Sequence, residues 1–129
     1  MKIAVAVGAD WNRTAGHAGQ CRRWLVFLAQ PDSPPTEATR VELPKELVFH
    51  HFKDDRPHPL GDVAVVIAAS AGESFKRRME KRGIEAALTA ESDPAKAAAD
   101  WLAHRLAPPK PRPVGELLCK VRDLFSDHR

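Results

Sequence analysis

The pattern of apolar and polar positions over residues 62–88 predicts a strand, a tight turn, a helix and a second strand. Residues 63–68 form a nearly unbroken apolar run rich in β-branched side chains, which is typical of a strand buried on both faces. Phe75 and Met79 are four positions apart and therefore share one face of the helix that follows. Gly83 stands where the C′ residue of a helix is expected. The stretch therefore predicts a parallel βαβ unit.

The remaining pattern adds strands before this unit and a helix after it. The short, proline-containing connection at 31–35 makes the second and third strands an antiparallel hairpin. Residues 45–53 predict a short helix. Asp93 and Pro94 are a strong helix start, as N-cap and first helical residue, and that helix is expected to reach about residue 106. The predicted strands are residues 1–7, 24–29, 37–43, 63–68 and 84–89.

Together these elements predict an α/β fold, a mixed five-stranded sheet with helices on both faces. Prolines in 108–113 predict an extended linker between a domain at 1–107 and an extension at 114–129. Within the extension, residues 114–126 have the pattern of an amphipathic helix. A helix this short needs a partner for its apolar face. That partner is its own domain, a second copy of the chain in a homodimer, or another protein.

Composition and charge narrow the class of protein. The chain has 129 residues, 43% of them hydrophobic, and a net charge of +3 from 20 basic and 17 acidic residues. This near balance does not indicate a nucleic-acid-binding protein. No stretch has the length of a signal-peptide core or a membrane span, so we expect a cytoplasmic protein without membrane contact. Cys21 and Cys119 are then expected to be free thiols.

Candidate ligand-binding residues follow two of the predicted strands. The first strand ends at Gly8 and another ends near Ser70, and ligands favour the loops at such carboxyl ends. If the two strands are neighbours, loop 8–21 lies beside the turn at 70–74, where backbone N–H groups at the start of a helix attract anions. The residues expected at this edge are Asp10, His17, Cys21, Ser70, Gly72 and Ser74.

These residues have alternative interpretations that the sequence leaves open. His17 is a possible metal ligand or simply a surface residue, and Cys21 is a second possible ligand or a small packing residue. His50, His51 and His58 resemble a metal-binding cluster, but without a known ligand spacing they are better interpreted as a solvated face. The Walker A loop, the dinucleotide fingerprint and the nucleophile elbow are absent. The chain therefore matches none of these catalytic templates.

Three segments of the chain carry a resemblance to a known family: MKIAVAV, HAGQCRRWLVFLA and VAVVIAASAGESFKRRMEKRGIEAAL. The chain resembles the dinitrogenase iron–molybdenum cofactor biosynthesis family, the NifX/NafY type of domain, over roughly residues 1–106. His17, Gly19 and Gln20 stand at the family's His-x-Gly-Arg positions, and Gly72 at the last glycine of its turn. The departures are Ala18 for an aromatic residue, Gln20 for arginine, and Ala68 and Ala69 for the first glycines.

The resemblance implies a fold, a function and a set of site residues. It implies a ribonuclease H-like sheet, and a carrier, not an enzyme, that binds an iron–sulfur or iron–molybdenum cluster and delivers it to a partner. The departures favour an alternative, a protein-interaction module that has lost cluster binding. The implied cofactor-binding residues are His17, Gly19, Cys21, Gly72 and Ser74, of which His17 and Cys21 are the implied metal ligands.

Overall fold

A mixed β-sheet runs through the protein, whose computed structural model describes residues 1–30 and 32–110. Within these residues the sheet has five strands in the order β3-β2-β1-β4-β5. β2 is antiparallel to β1 and β3, whereas β4 is parallel to β1 and β5. The mixed α/β class, the hairpin and the βαβ unit are thereby confirmed; the ribonuclease H-like label stays a prediction. The strands are β1 (Lys2–Val7), β2 (Arg23–Gln30), β3 (Ser33–Glu42), β4 (Val65–Ala68) and β5 (Glu85–Leu88).

The two α-helices of the described residues cover opposite faces of the sheet. α1 (Glu73–Lys81) packs Phe75 and Met79 onto one face, and α2 (Pro94–Leu102) packs Ala97 and Ala98 onto the other. The central strand β1 is buried on both faces because its side chains alternate between them. Its alanines face α1 and its larger side chains face α2. These are Ala4 and Ala6 on the first face, and Ile3, Val5 and Val7 on the second.

Local sequence signals set two of the four helix ends. Gly83 has a positive φ of 73°, and its N–H bonds to the carbonyl of Glu80 while the N–H of Ile84 bonds to Met79. This is a Schellman motif, so the predicted glycine stop of α1 is confirmed. The Asp93 carboxylate accepts from the Ala95 N–H at 3.0 Å and caps α2, as predicted. However, α2 ends at Leu102 and not near residue 106.

The connection between β3 and β4 differs most from the prediction. Only Lys45–Leu47 is helical, as one 3₁₀ turn, because Pro44 and Val48 on either side are extended. The helix predicted over residues 45–53 was therefore wrong. We call residues 43–64 the cap segment, since its apolar side chains cover the part of the α1 face that the helix leaves open. The buried apolar side chains of the cap segment are Leu43, Val48, Phe49, Phe52, Leu60 and Val63.

Strand β3 also begins earlier than predicted. Pro34 and Pro35, expected in the turn, lie inside the strand. Proline cannot donate a ladder hydrogen bond, but β3 is an edge strand, where this loss is tolerated. The last part of the proline-rich linker and the amphipathic helix predicted at 114–126 lie outside the described residues. Within the described ranges, no helix is both long and apolar enough to cross a membrane.

Candidate functional site

A cavity of about 370 Å³ opens where the β1–β2 loop, the start of α1 and the cap segment meet. Because β1 and β4 are parallel neighbours, the loop after one strand lies beside the turn after the other, as the sequence predicts. Four of the five predicted cofactor-binding residues line this cavity, together with side chains that were not predicted. The lining residues are His17, Gly19 and Gln20 from the loop, Phe49 and His50 from the cap segment, and Gly72, Ser74, Phe75 and Arg78 from α1 and the turn before it.

His17 is held in an uncommon backbone conformation at the mouth of the cavity. Its φ of 52° and ψ of 55° are left-handed, a region that non-glycine residues rarely adopt. Ser70 fixes this geometry twice, because its hydroxyl accepts from the His17 N–H at 2.9 Å and its carbonyl accepts from the Ala18 N–H at 3.1 Å. A Cβ atom at Gly16 would stand 2.5 Å from the Ser70 hydroxyl oxygen. Glycine at position 16 therefore permits the contact that orients His17.

Two arginines of the α1 region attach the wall that the cap segment forms to this helix. The guanidinium of Arg78 donates to the carbonyl oxygens of Phe49 and Phe52, the second at 2.9 Å. One turn later, Arg82 forms an ion pair with Asp54 of the same cap segment. These contacts satisfy carbonyl groups that an irregular segment cannot satisfy by itself. They also fix where Phe49 and the adjoining His50 stand in the cavity.

His58 holds the cap segment from inside. It is buried, and its ring stacks on Phe49 with centroids 4.2 Å apart. Its Nδ1 accepts from the Leu60 N–H at 3.0 Å, and its Nε2 lies 2.7 Å from the Leu47 carbonyl. Burial lowers the pKa of His58, and the charge of Arg82 adds to this. The ring is therefore neutral at pH 7, with its hydrogen on Nε2.

The structure separates the three histidines that the sequence groups together. His50 lines the same cavity as His17, His51 is exposed with its ring 5.0 Å from that of His50, and His58 is buried. The solvated-face interpretation was therefore wrong for His58, whereas His50 and His51 are exposed, as that interpretation predicts. The sequence did carry one signal that His50 stands near the core, since Val48 and Phe49 beside it are apolar and buried.

Cys21 and Asp10 do not line the cavity. The Cys21 thiol donates to the carbonyl of Arg23 at 3.1 Å and lies 3.6 Å from that of Val7. Burial raises its pKa, so the group is a thiol and not a thiolate at neutral pH. The structure therefore agrees with the alternative interpretation of Cys21 as a small packing residue at the start of β2.

The cavity lining favours negatively charged ligands. Its charged or titratable side chains are His17, His50 and Arg78, and none of its residues is acidic. Gly72 begins α1 without a side-chain cap, so the first backbone N–H groups of the helix have no side-chain acceptor there. Among the described residues, no group of three or more histidine, cysteine or carboxylate side chains is arranged to hold a metal ion. The donor set comprises two imidazoles and an electropositive wall.

Comparisons with known proteins identify relatives of this arrangement. The family model described as dinitrogenase iron-molybdenum cofactor matches residues 1–104. The crystal structure of PH0822 superposes with a TM-score of 0.64 at 14% identity, covering 82% of this chain and 93% of that one. A Methanocaldococcus jannaschii protein that carries a dinitrogenase name, mj0327, gives 0.58 at 14% identity, covering 83% and 92%. Both likenesses concern the fold. A search of curated proteins finds no match.

Proposed function

The chain belongs to the dinitrogenase iron–molybdenum cofactor family, and we propose that it is a non-enzymatic carrier for an iron–molybdenum or iron–sulfur cluster. The observation that carries this proposal is the presence of His17 and His50 in the lining of one cavity. Neutral imidazole is a common ligand of transition metals. The proposed carrier works in the cytoplasm, as the sequence predicts, and its sheet is of the ribonuclease H-like kind.

The small number of donors favours a preassembled cluster over a single metal ion. A structural zinc site uses four protein ligands and a catalytic one about three. The cavity offers two imidazoles, and Cys21, the cysteine of the described residues, is a protonated thiol engaged with carbonyl groups. A cluster brings its own sulfide ligands, so one or two protein donors are enough to hold it. Fewer protein ligands also leave a cluster easier to pass on.

The charge of the cavity supports the same class of ligand. Iron–sulfur clusters are anionic, and Arg78 with the uncapped start of α1 gives the wall a positive potential. A volume of about 370 Å³ is within the range of small-ligand sites. Among the described residues, no carboxylate lines the cavity to orient either imidazole as a general base, which supports a carrier over an enzyme.

An anaerobic titration with extracted iron–molybdenum cofactor tests the proposal, with binding followed by visible absorption. His17→Asn is the sharpest variant, because asparagine tolerates the left-handed backbone at position 17 but lacks the imidazole. The matched control is His104→Asn, since His104 is also exposed and has a φ of 61°. We expect His17→Asn and His50→Ala each to weaken binding at least about tenfold, as loss of one metal ligand or its partner does.

The control is expected to bind as the unchanged chain does. Equal affinity in all variants would remove His17 and His50 from the site. Absence of binding by the unchanged chain would instead favour the alternative, a protein-interaction module of the same fold. That alternative draws support from the position of Cys21, whose thiol bonds to a backbone carbonyl and does not line the cavity.

A further inference from the structure

His58 forms two ring hydrogen bonds that require a neutral imidazole in one tautomer. A carbonyl oxygen only accepts, so the 2.7 Å contact with Leu47 requires the hydrogen on Nε2. A backbone N–H only donates, so the 3.0 Å contact with Leu60 requires a bare Nδ1. The ring thereby joins the two ends of the irregular stretch 47–60. A protonated ring would set two donors, Nδ1–H and the Leu60 N–H, against each other.

We propose that His58 is a positioning residue for the cluster cavity, and that its neutral ring holds the wall formed by Phe49 and His50. Protonation releases this wall and lowers retention of the cluster. This inference rests on the proposed function and adds control by pH to the same site. His58 itself does not line the cavity.

The contacts connect the ring of His58 to the cavity in two short steps. Phe49 stacks on His58 at 4.2 Å and also lines the cavity. The next residue, His50, donates its N–H to the carbonyl of Gly19 at 2.6 Å and so faces the loop of His17. A shift of the stacked pair therefore moves one of the two imidazoles proposed to hold the cluster.

The charged groups around His58 come from the cap segment and from α1. Burial is the largest influence on the pKa of His58 and lowers it. The hydrogen bond to the Leu47 carbonyl raises the pKa, the charge of Arg82 lowers it and the charge of Asp54 raises it. Arg78 also faces this region, through its bonds to Phe49 and Phe52. The pKa of His58 in the folded protein lies below the ordinary value of about 6.5. The neutral ring therefore holds the wall fully above that pH, and its hold weakens as the pH falls toward the folded pKa.

Hydrogen exchange of the cluster-free protein tests, without any ligand, whether neutral His58 holds the wall of Phe49 and His50. After correction for intrinsic exchange rates, we expect amides of residues 47–60 to open more readily below about pH 6.5, by up to about tenfold per pH unit. His58→Asn removes the titration but keeps an acceptor for the Leu60 N–H, since an asparagine side chain bonds the amide two residues on. Its exchange should show no such pH response. His51→Asn is the matched control and should keep the response of the unchanged chain.

A pH response in His58→Asn equal to that of the unchanged chain would overturn the proposal. If this variant does not fold, His58→Gln serves instead, because the glutamine amide can donate to the Leu47 carbonyl. In the unchanged chain, an NMR titration follows the protonation of the His58 ring directly. Ring protonation without a change in amide exchange at 47–60 would equally overturn it.

A second measurement follows retention of extracted iron–molybdenum cofactor between about pH 5.5 and 7.5. Loss of cofactor on acidification that His58→Asn abolishes supports the proposal, and identical loss in both proteins contradicts it. Absence of cofactor binding at every pH contradicts the proposed function. The hydrogen-exchange experiment still decides whether the His58 ring holds the wall of Phe49 and His50.

Discussion

The backbone N–H of His50 donates to the carbonyl oxygen of Gly19 at 2.6 Å and joins the two walls of the cavity. One wall follows strand β1 and the other belongs to the cap segment. Neither wall has regular secondary structure at this point beyond a single 3₁₀ turn at Ala18–Gln20. The relative position of the two imidazoles therefore depends on a few specific bonds, and each of these can be tested separately.

Arg78→Met is expected to detach the cap segment from α1. The variant keeps most of the apolar stem but leaves the carbonyls of Phe49 and Phe52 without their charged donor. Hydrogen bonds to charged groups contribute about 1.5–3 kcal/mol, so we expect a loss of about 2 kcal/mol in the free energy of unfolding, measured in urea. Arg77→Met changes an exposed neighbour and should cost less than about 0.5 kcal/mol. Equal effects would contradict the anchoring role of Arg78.

Gly16→Ala is expected to displace the Ser70 hydroxyl, because the new Cβ would lie 2.5 Å from its oxygen. The hydroxyl can rotate away only by giving up the N–H of His17, which costs about 1 kcal/mol. A double-mutant cycle checks this: Gly16→Ala should cost almost nothing in a Ser70→Ala background. Gly8→Ala is the control, since nothing lies closer than 4.0 Å to its added Cβ. Additive costs would mean that the two positions do not interact.

The parts of the fold that the sequence predicts correctly depend on neighbouring residues. The βαβ unit follows from a β-branched run, the pair Phe75 and Met79, and the glycine after the helix. The start of α2 follows from Asp93 and Pro94. Each of these signals acts within one or two turns of its own element, so the prediction does not depend on how the rest of the chain packs.

The cap segment and the full site could not be predicted in this way. Val48 and Phe52 have helical spacing, but both are buried because the irregular chain packs onto the sheet. His50 comes to the cavity that His17 lines through contacts between parts of the chain that are distant in sequence, such as its bond to the carbonyl of Gly19. Cys21, four residues after His17, suggested a second ligand, but the 3₁₀ turn between them and the start of β2 direct its thiol to backbone carbonyls. Tertiary packing therefore determines the path of the cap segment, the position of His50 and the direction of the Cys21 thiol.

Gly83→Ala is expected to destabilise the end of α1. The φ of 73° costs a residue with a Cβ atom about 1–2 kcal/mol, and no neighbouring atom lies within 4 Å of the added methyl group. Gly83→Asn should lose less, because asparagine visits this region more readily. Thermal or urea unfolding measures both. A cost that is the same for alanine and asparagine would show that backbone strain is not the cause.

Cys21 is expected to react slowly with alkylating reagents and to be unnecessary for cluster binding. In a Cys119→Ser background Cys21 is the one cysteine that iodoacetamide can alkylate. Its alkylation rate follows the fraction of the side chain that is thiolate. Because burial raises its pKa from 9.0, the rate should stay low at neutral pH and rise only above the range of an ordinary cysteine. Cys21→Ser should bind extracted iron–molybdenum cofactor as tightly as the unchanged chain. Fast alkylation at neutral pH, or weakened binding in Cys21→Ser, would restore Cys21 as a ligand and would require the loop after Gly19 to rearrange around the cluster.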